Sequence, residues 1–122
     1  DLLSPSGEER TLIRQEEQQL YEYDEYKLQI RRLDFGKKRG IYEFSTYDPE
    51  TKDTPPSWGL HPYAEVGVIL EGKMEVNLDG TVYLLGPGDS IYIKPNLYHT
   101  MRNAGDTPCR SFWHLQIMDD SV

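Results

Sequence analysis

Cysteine is almost missing from this chain: Cys109 is the only one in 122 residues, so no intrachain disulfide can form. A lone thiol beside Pro108 and Arg110 fits a reducing compartment, which points to the cytoplasm, and its expected role is passive. Long apolar runs are missing too. Nothing approaches the roughly 20 residues of a spanning helix, and the start does not read as a secretory segment. Positive charge is scarce, with 13 Lys and Arg against 21 Asp and Glu and a formal net charge of −8. That balance excludes the basic footprint needed to displace counterions from nucleic acid, and it disfavours an anionic membrane surface. Histidine occurs only three times. The length suits one domain with a modest core. Because the first residue is Asp1 and not Met, a leader, a tag or a preceding domain is expected to be missing.

What is present is dominated by short strand signals. Residues 1–14 read as a linker or flexible N-terminal segment, and 15–122 as a single barrel. The stretch from Thr11 to Glu25 is ambiguous. Glu16, Glu17, Gln18 and Gln19 favour helix, whereas Tyr21, Tyr23 and Tyr26 favour strand. Leu28, Ile30 and Arg32 alternate with Gln29, Arg31 and Leu33 as a strand does, and a second strand runs from Ile41 to Tyr47. The basic run Lys37-Lys38-Arg39 reads as a solvated hairpin turn. Pro49, Pro55 and Pro56 make 48–57 a loop. Val66, Val68 and Leu70 lie in a strand that is apolar on both faces, which predicts a covered outer face and hence a homodimer. Asp79-Gly80 marks a two-residue hairpin between 74–78 and 81–85. Gly86-Pro87-Gly88-Asp89 is another turn, and strands follow at 90–93, 99–103 and 111–118. Such regular strand-and-turn spacing predicts an all-β sandwich or barrel.

All three histidines fall in the strand-rich half, and two of them, His61 and His99, lie in short strand-like runs separated by tight turns. His61 and Glu65 are four residues apart, so on a strand they point to one face; His99 and Asn103 share that relation. Two imidazoles and one carboxylate suit a divalent metal with open coordination positions. The same residues also suit a polar pocket without an ion, in which Glu65 accepts hydrogen bonds from the histidines. Trp58, Tyr63, Tyr92, Tyr98 and Trp113 flank these segments and are candidates to line a ligand pocket. On the 111–118 strand, His114 is a fourth ligand only if even-numbered residues face inward; otherwise it is a packing residue. Asn103 is expected to support the strand.

The segments 59–72 and 86–103 resemble the two motifs of the cupin superfamily. His61, Glu65 after three intervening residues and Gly72 after six more follow the second half of the first motif. Gly88, His99 and Asn103 hold the register of the second. The resemblance implies a double-stranded β-helix, or jelly-roll barrel, with His61, Glu65 and His99 as metal ligands. It has departures. Gly59 stands where the family has the first histidine of its His-x-His pair, Asp53 stands where it has glycine, and Lys94 and Asn96 replace proline and glycine. Three ligands of four thus remain, enough for one Fe, Mn, Ni or Zn ion, yet loss of a ligand also suits a cupin that has given up its metal.

The wording of 41–45, 65–72 and 88–93 is similar to the C-terminal cupin domain of bacterial helix-turn-helix regulators. That likeness implies a small-molecule sensor whose DNA-binding domain would precede Asp1. The alternative is a small metal-dependent enzyme, such as a dioxygenase, isomerase or lyase, with Tyr63 or Tyr98 as a possible acid or base.

Overall fold

The computed structural model describes residues 9–36, 39–50, 54 and 59–116. Among these described residues, nine strands follow in order: β1 (Gln19–Tyr23), β2 (Leu28–Asp34), β3 (Ile41–Tyr47), β4 (Ala64–Glu71), β5 (Met74–Leu78), β6 (Thr81–Leu85), β7 (Ser90–Ile93), β8 (His99–Asn103) and β9 (Cys109–Gln116). All the registered pairs are antiparallel. One sheet has the order β1-β2-β3-β9-β4-β7 and the other β6-β5-β8. Two such sheets face to face, with sequence-distant strands as neighbours, make the jelly roll that the family resemblance implied.

The ambiguity at 11–25 has a mixed outcome. Single 3₁₀ turns at Gln15–Glu17 and Asp24–Tyr26 bracket the strand Gln19–Tyr23. The tyrosine-bearing segment pairs with β2, and the glutamates never propagate a helix, because an isolated turn is a costly nucleus. Ahead of it, the Arg10 amide donates to the Phe35 carbonyl at 2.9 Å. The Asp79-Gly80 hairpin forms as expected, with both residues at positive φ (47° and 97°).

Alternation decides what the interior contains. On β9 the odd residues Cys109, Ser111, Trp113 and Leu115 are buried, and β3 buries Ile41, Glu43, Ser45 and Tyr47. From the second sheet, Met74, Val76 and Met101 close the apolar layer. Across β2, β3, β9 and β4, register lines up Arg32, Glu43, Trp113 and Gly67 in one row. Gly67 has to lack a side chain: a Cβ there would lie 2.4 Å from the Trp113 ring. The indole occupies that vacated space, and its Nε1 donates to Ser111 Oγ at 2.8 Å. Asn103 ties the far end together, since Nδ2 donates to the Tyr47 and Thr107 carbonyls, both at 2.8 Å.

The outer face of β4 is not covered within one chain. Val66 is 43% and Leu70 52% exposed, so the interior expected on both sides of this strand exists on one side only. Among the described residues, no helix is long and apolar enough to cross a membrane.

Candidate functional site

The open space in the barrel is a cavity of about 360 Å³ between the two sheets. Its wall brings together His61, Glu65, His99, Tyr63 and Trp113 with Arg32, Glu43, Ser45 and Thr54, over an apolar lining that includes Leu28, Ile30, Met101 and Leu115. The volume falls in the range of small-molecule sites, which run from about 300 to 1,000 Å³.

Backbone pairing between the two motif segments puts the histidines side by side. The His99 amide donates to the Gly59 carbonyl at 2.9 Å, and the Asn96 amide to the His61 carbonyl at 2.8 Å. The two rings stand edge to face with centroids 5.0 Å apart. This close splice explains the glycine at 59: a Cβ there would lie 1.8 Å from the His99 carbonyl oxygen. No side chain, and so no third imidazole, fits at that position without parting the two segments.

Each imidazole has its Nδ1 on a backbone carbonyl, His61 on Tyr63 O and His99 on Leu97 O, both at 3.0 Å. A carbonyl only accepts, so both Nδ1 atoms carry the proton and both Nε2 atoms point at the carboxylate. His99 Nε2 lies 3.0 Å and His61 Nε2 3.4 Å from the same oxygen, Glu65 Oε2. These are ion-pair distances, yet Oε2 is buried and has no hydrogen bond of ordinary geometry among the described residues. Two neutral Nε2 lone pairs and a carboxylate oxygen repel one another unless something positive lies among them. All three ligand atoms lie within 4.8 Å of one another, a spacing compatible with a metal ion. The donor set therefore fits a divalent cation: two neutral nitrogens and one anionic oxygen, each already oriented.

Protonation is the other way to supply positive charge. Burial alone would raise the Glu65 carboxyl, but the two imidazoles outweigh it and hold the group below its ordinary range. Burial would lower His99, and its contacts with Glu65 and the Leu97 carbonyl raise it instead. Tyr63, stacked on His61 at 3.8 Å, is pushed well above the usual phenol range by burial and then by Glu65. It stays a protonated phenol near neutrality and is a donor, not a base.

The sequence-expected pocket residues separate into groups. Tyr63 and Trp113 line the cavity. Tyr92 and Tyr98 do not: they are 59% and 39% exposed, Tyr92 because on β7 it is Ile91 and Ile93 that turn inward, and Tyr98 in the connection ahead of β8. Trp58 lies outside the described residues, as do Lys37 and Lys38. His114 is an even-numbered residue on a strand that buries its odd ones, and it stacks on Tyr42 at 4.7 Å outside the barrel. Cys109 is fully buried, and burial pushes its thiol up to about 11, which leaves it unreactive near neutrality. The expectation missed Arg32, Glu43 and Ser45. A signal existed: Arg32 is in phase with Leu28 and Ile30, and Glu43 with Ile41 and Tyr47, so each places charge on an otherwise apolar face.

The sign of the pH dependence follows from these shifts. In metal-free protein, the His99 contribution is full below its ordinary value of 6.5 and fades as pH rises through the raised one. The Glu65 contribution is present above its ordinary 4.5 and is lost as pH falls through the lowered value. Scanning calorimetry of the metal-free chain, with Glu65→Gln as control, should show a wild-type advantage in weakly acid solution that shrinks above neutrality. Added Zn²⁺ should raise Tm by an increment that grows with pH, because protons and the ion compete for Nε2. A wild-type advantage over Glu65→Gln that grows through neutrality without metal would contradict this electrostatic account.

Comparison with known proteins agrees with the fold. The Cupin domain family matches residues 43–115, more than half of the chain. Polyketide synthase CurC from Streptomyces cyaneus is 39% identical over 56 residues, covering 45% of this chain and 36% of that protein. The chain thus spans about a third of that relative's length. Among solved structures, an RmlC-like cupin from Shewanella frigidimarina NCIMB 400 superposes with a TM-score of 0.71 at 19% identity, covering 95% of this chain and 99% of that one. KdgF from Halomonas sp. gives a TM-score of 0.69 at 16% identity, covering 93% and 99%. On the family match, the paired antiparallel sheets and the register of both motifs, this chain belongs to the cupin superfamily.

Proposed function

We propose that this cupin binds a small oxygen-bearing molecule in the barrel cavity through one divalent metal ion held by His61, Glu65 and His99. The observation that carries the reading is the buried Glu65 Oε2, without a hydrogen bond and faced by two Nε2 atoms whose protons sit on the opposite side of each ring. When bound, a divalent ion would supply Lewis-acid chemistry at an open position. The chain's own residues do the rest. Tyr63 and Leu97 carbonyls fix the imidazole tautomers. Leu28, Ile30, Met101 and Leu115 give the cavity an apolar surface, and the Tyr63 phenol is available as a donor at its wall. Fe, Mn, Ni and Zn all suit the donor set.

A second reading uses the same cavity for sensing, as the effector-binding part of a bacterial transcription regulator. The splice at Gly59, which closes the fourth ligand position, supports it, since a sensor needs ligand binding and no turnover. In either reading the acidic chain touches no nucleic acid itself, and the inert buried thiol suits the cytoplasm. A homodimer through the outer face of β4 completes the proposal. There Val66 lies between Tyr92 on β7 and His114 on β9, and an aromatic strip continues through Tyr42, Phe112 and Phe44.

Elemental analysis of protein purified without chelator or affinity-column metal should find near one equivalent of a transition metal per chain. His99→Ala should lose it with the fold intact. Folded wild-type protein that holds no metal and takes none up would overturn the metal reading and leave the sensor. Sedimentation at micromolar concentration should give the mass of two chains, and Val66→Lys should give one; a wild-type monomer would contradict the dimer.

A further inference from the structure

A second polar station lies on the cavity wall, and the metal-ligand trio does not account for it. Arg32 on β2 and Glu43 on β3 are cross-strand partners, 7% and 8% exposed, and both line the cavity. Arg32 Nε and Nη2 both donate to one oxygen, Glu43 Oε2, at 2.8 and 2.6 Å. A buried ion pair is a poor source of stability, because desolvating two charges offsets their attraction. An apolar pair at these positions would continue the lining of Leu28, Ile30 and Leu115. Charge here therefore asks for a role other than packing.

The geometry leaves that role to the other carboxylate oxygen. Both contacts from Arg32 fall on Oε2, and Oε1 is the second oxygen of a side chain that lines the cavity. Burial raises the Glu43 carboxyl and Arg32 opposes that rise, so the group remains tied to its guanidinium partner. Arg32 already neutralises Glu43, so a cationic group placed against Oε1 would leave excess positive charge in the wall. A neutral hydroxyl fits without that cost. At the trio the balance is opposite: a divalent ion on Glu65 and two neutral imidazoles leaves one positive charge uncompensated, which favours an anionic oxygen.

We propose that Glu43 is a specificity-determining residue whose Oε1 accepts a hydrogen bond from a hydroxyl of the bound molecule, and that the ligand belongs to the hydroxy acids. Its carboxylate faces the trio and its hydroxyl faces the Arg32–Glu43 pair. This rests on the metal-binding reading given above.

The test is calorimetric titration of the zinc-loaded full chain with ω-hydroxy carboxylates of three to six carbons and with their unsubstituted counterparts. At one chain length or more, the hydroxy acid should bind at least about tenfold more tightly than its partner, as expected for a hydrogen bond to a charged group. Glu43→Gln should lose that advantage while the unsubstituted acid binds as before. Should the unpaired Arg32 prevent Glu43→Gln from folding, the double variant Arg32→Met/Glu43→Leu replaces the pair with an apolar one and should lose the advantage likewise. No hydroxyl advantage at any length, no binding of any acid by the zinc-loaded chain, or an advantage that survives both substitutions would overturn the inference. A chain that takes up no zinc contradicts the metal reading instead. The same comparison on metal-free protein then decides the role of Glu43, and absence of a hydroxyl advantage there overturns it too.

Discussion

One desolvated carboxylate oxygen sets the terms for this molecule. Glu65 Oε2 is buried between two imidazole nitrogens, and an isolated charge in that position would cost several kcal/mol. The surroundings are compatible with compensation by a cation. Two backbone carbonyls hold the Nδ1 protons, which turns both Nε2 lone pairs onto the carboxylate. Those carbonyls sit where they do because the segments of the two motifs are spliced backbone to backbone, at Gly59–His99 and His61–Asn96. The need for glycine at 59 and the reduced ligand set are thus consequences of one close approach.

The sheets translate that constraint into a cavity. Period-two alternation brings Glu43, Ser45, Glu65 and Arg32 to the inner face in the same way as Ile41 or Trp113. A closed apolar core would reject these groups. Here they line the cavity, with the Trp113 ring laid over Gly67 and its Nε1 held by Ser111. Ser111 in turn lies 2.5 Å from the Ser45 hydroxyl, which extends the polar network from β9 to the wall on β3. With an ion held by the trio, the cavity would have an electrophilic end there and a neutral polar patch at Arg32–Glu43, joined by apolar surface. The three parts together define what kind of molecule fits.

Much of this was legible in the sequence, for physical reasons that differ from residue to residue. Strand period and turn chemistry are local, so β2 to β9 and the Asp79-Gly80 hairpin could be read directly. His61 and Glu65 share a strand-like spacing, and the register of His99 in the second motif placed it in the same group. Tyr92 and Tyr98 were attractive as aromatics near the motifs, yet which face a strand buries depends on its partners. Pairing of Val66 with Tyr92 turns that tyrosine outward. Arg32 and Glu43 went unread because their meaning arises only when β2 and β3 pair, which puts two lone charges in contact. The outer face of β4 is the converse case, since its apolar run suggested burial on both sides and Val66 and Leu70 are exposed.

X-ray absorption spectroscopy of the cobalt- or zinc-loaded protein tests the central claim most directly, because it reads the ligands of the ion. The account predicts multiple-scattering features of two imidazoles, with the remaining first-shell scattering from oxygen and none from sulfur. Replacing Glu65 with Gln should alter the oxygen shell and leave both imidazole signatures if any ion is retained. An ion bound without imidazole scattering, or through the Cys109 sulfur, would place the metal elsewhere and contradict the account.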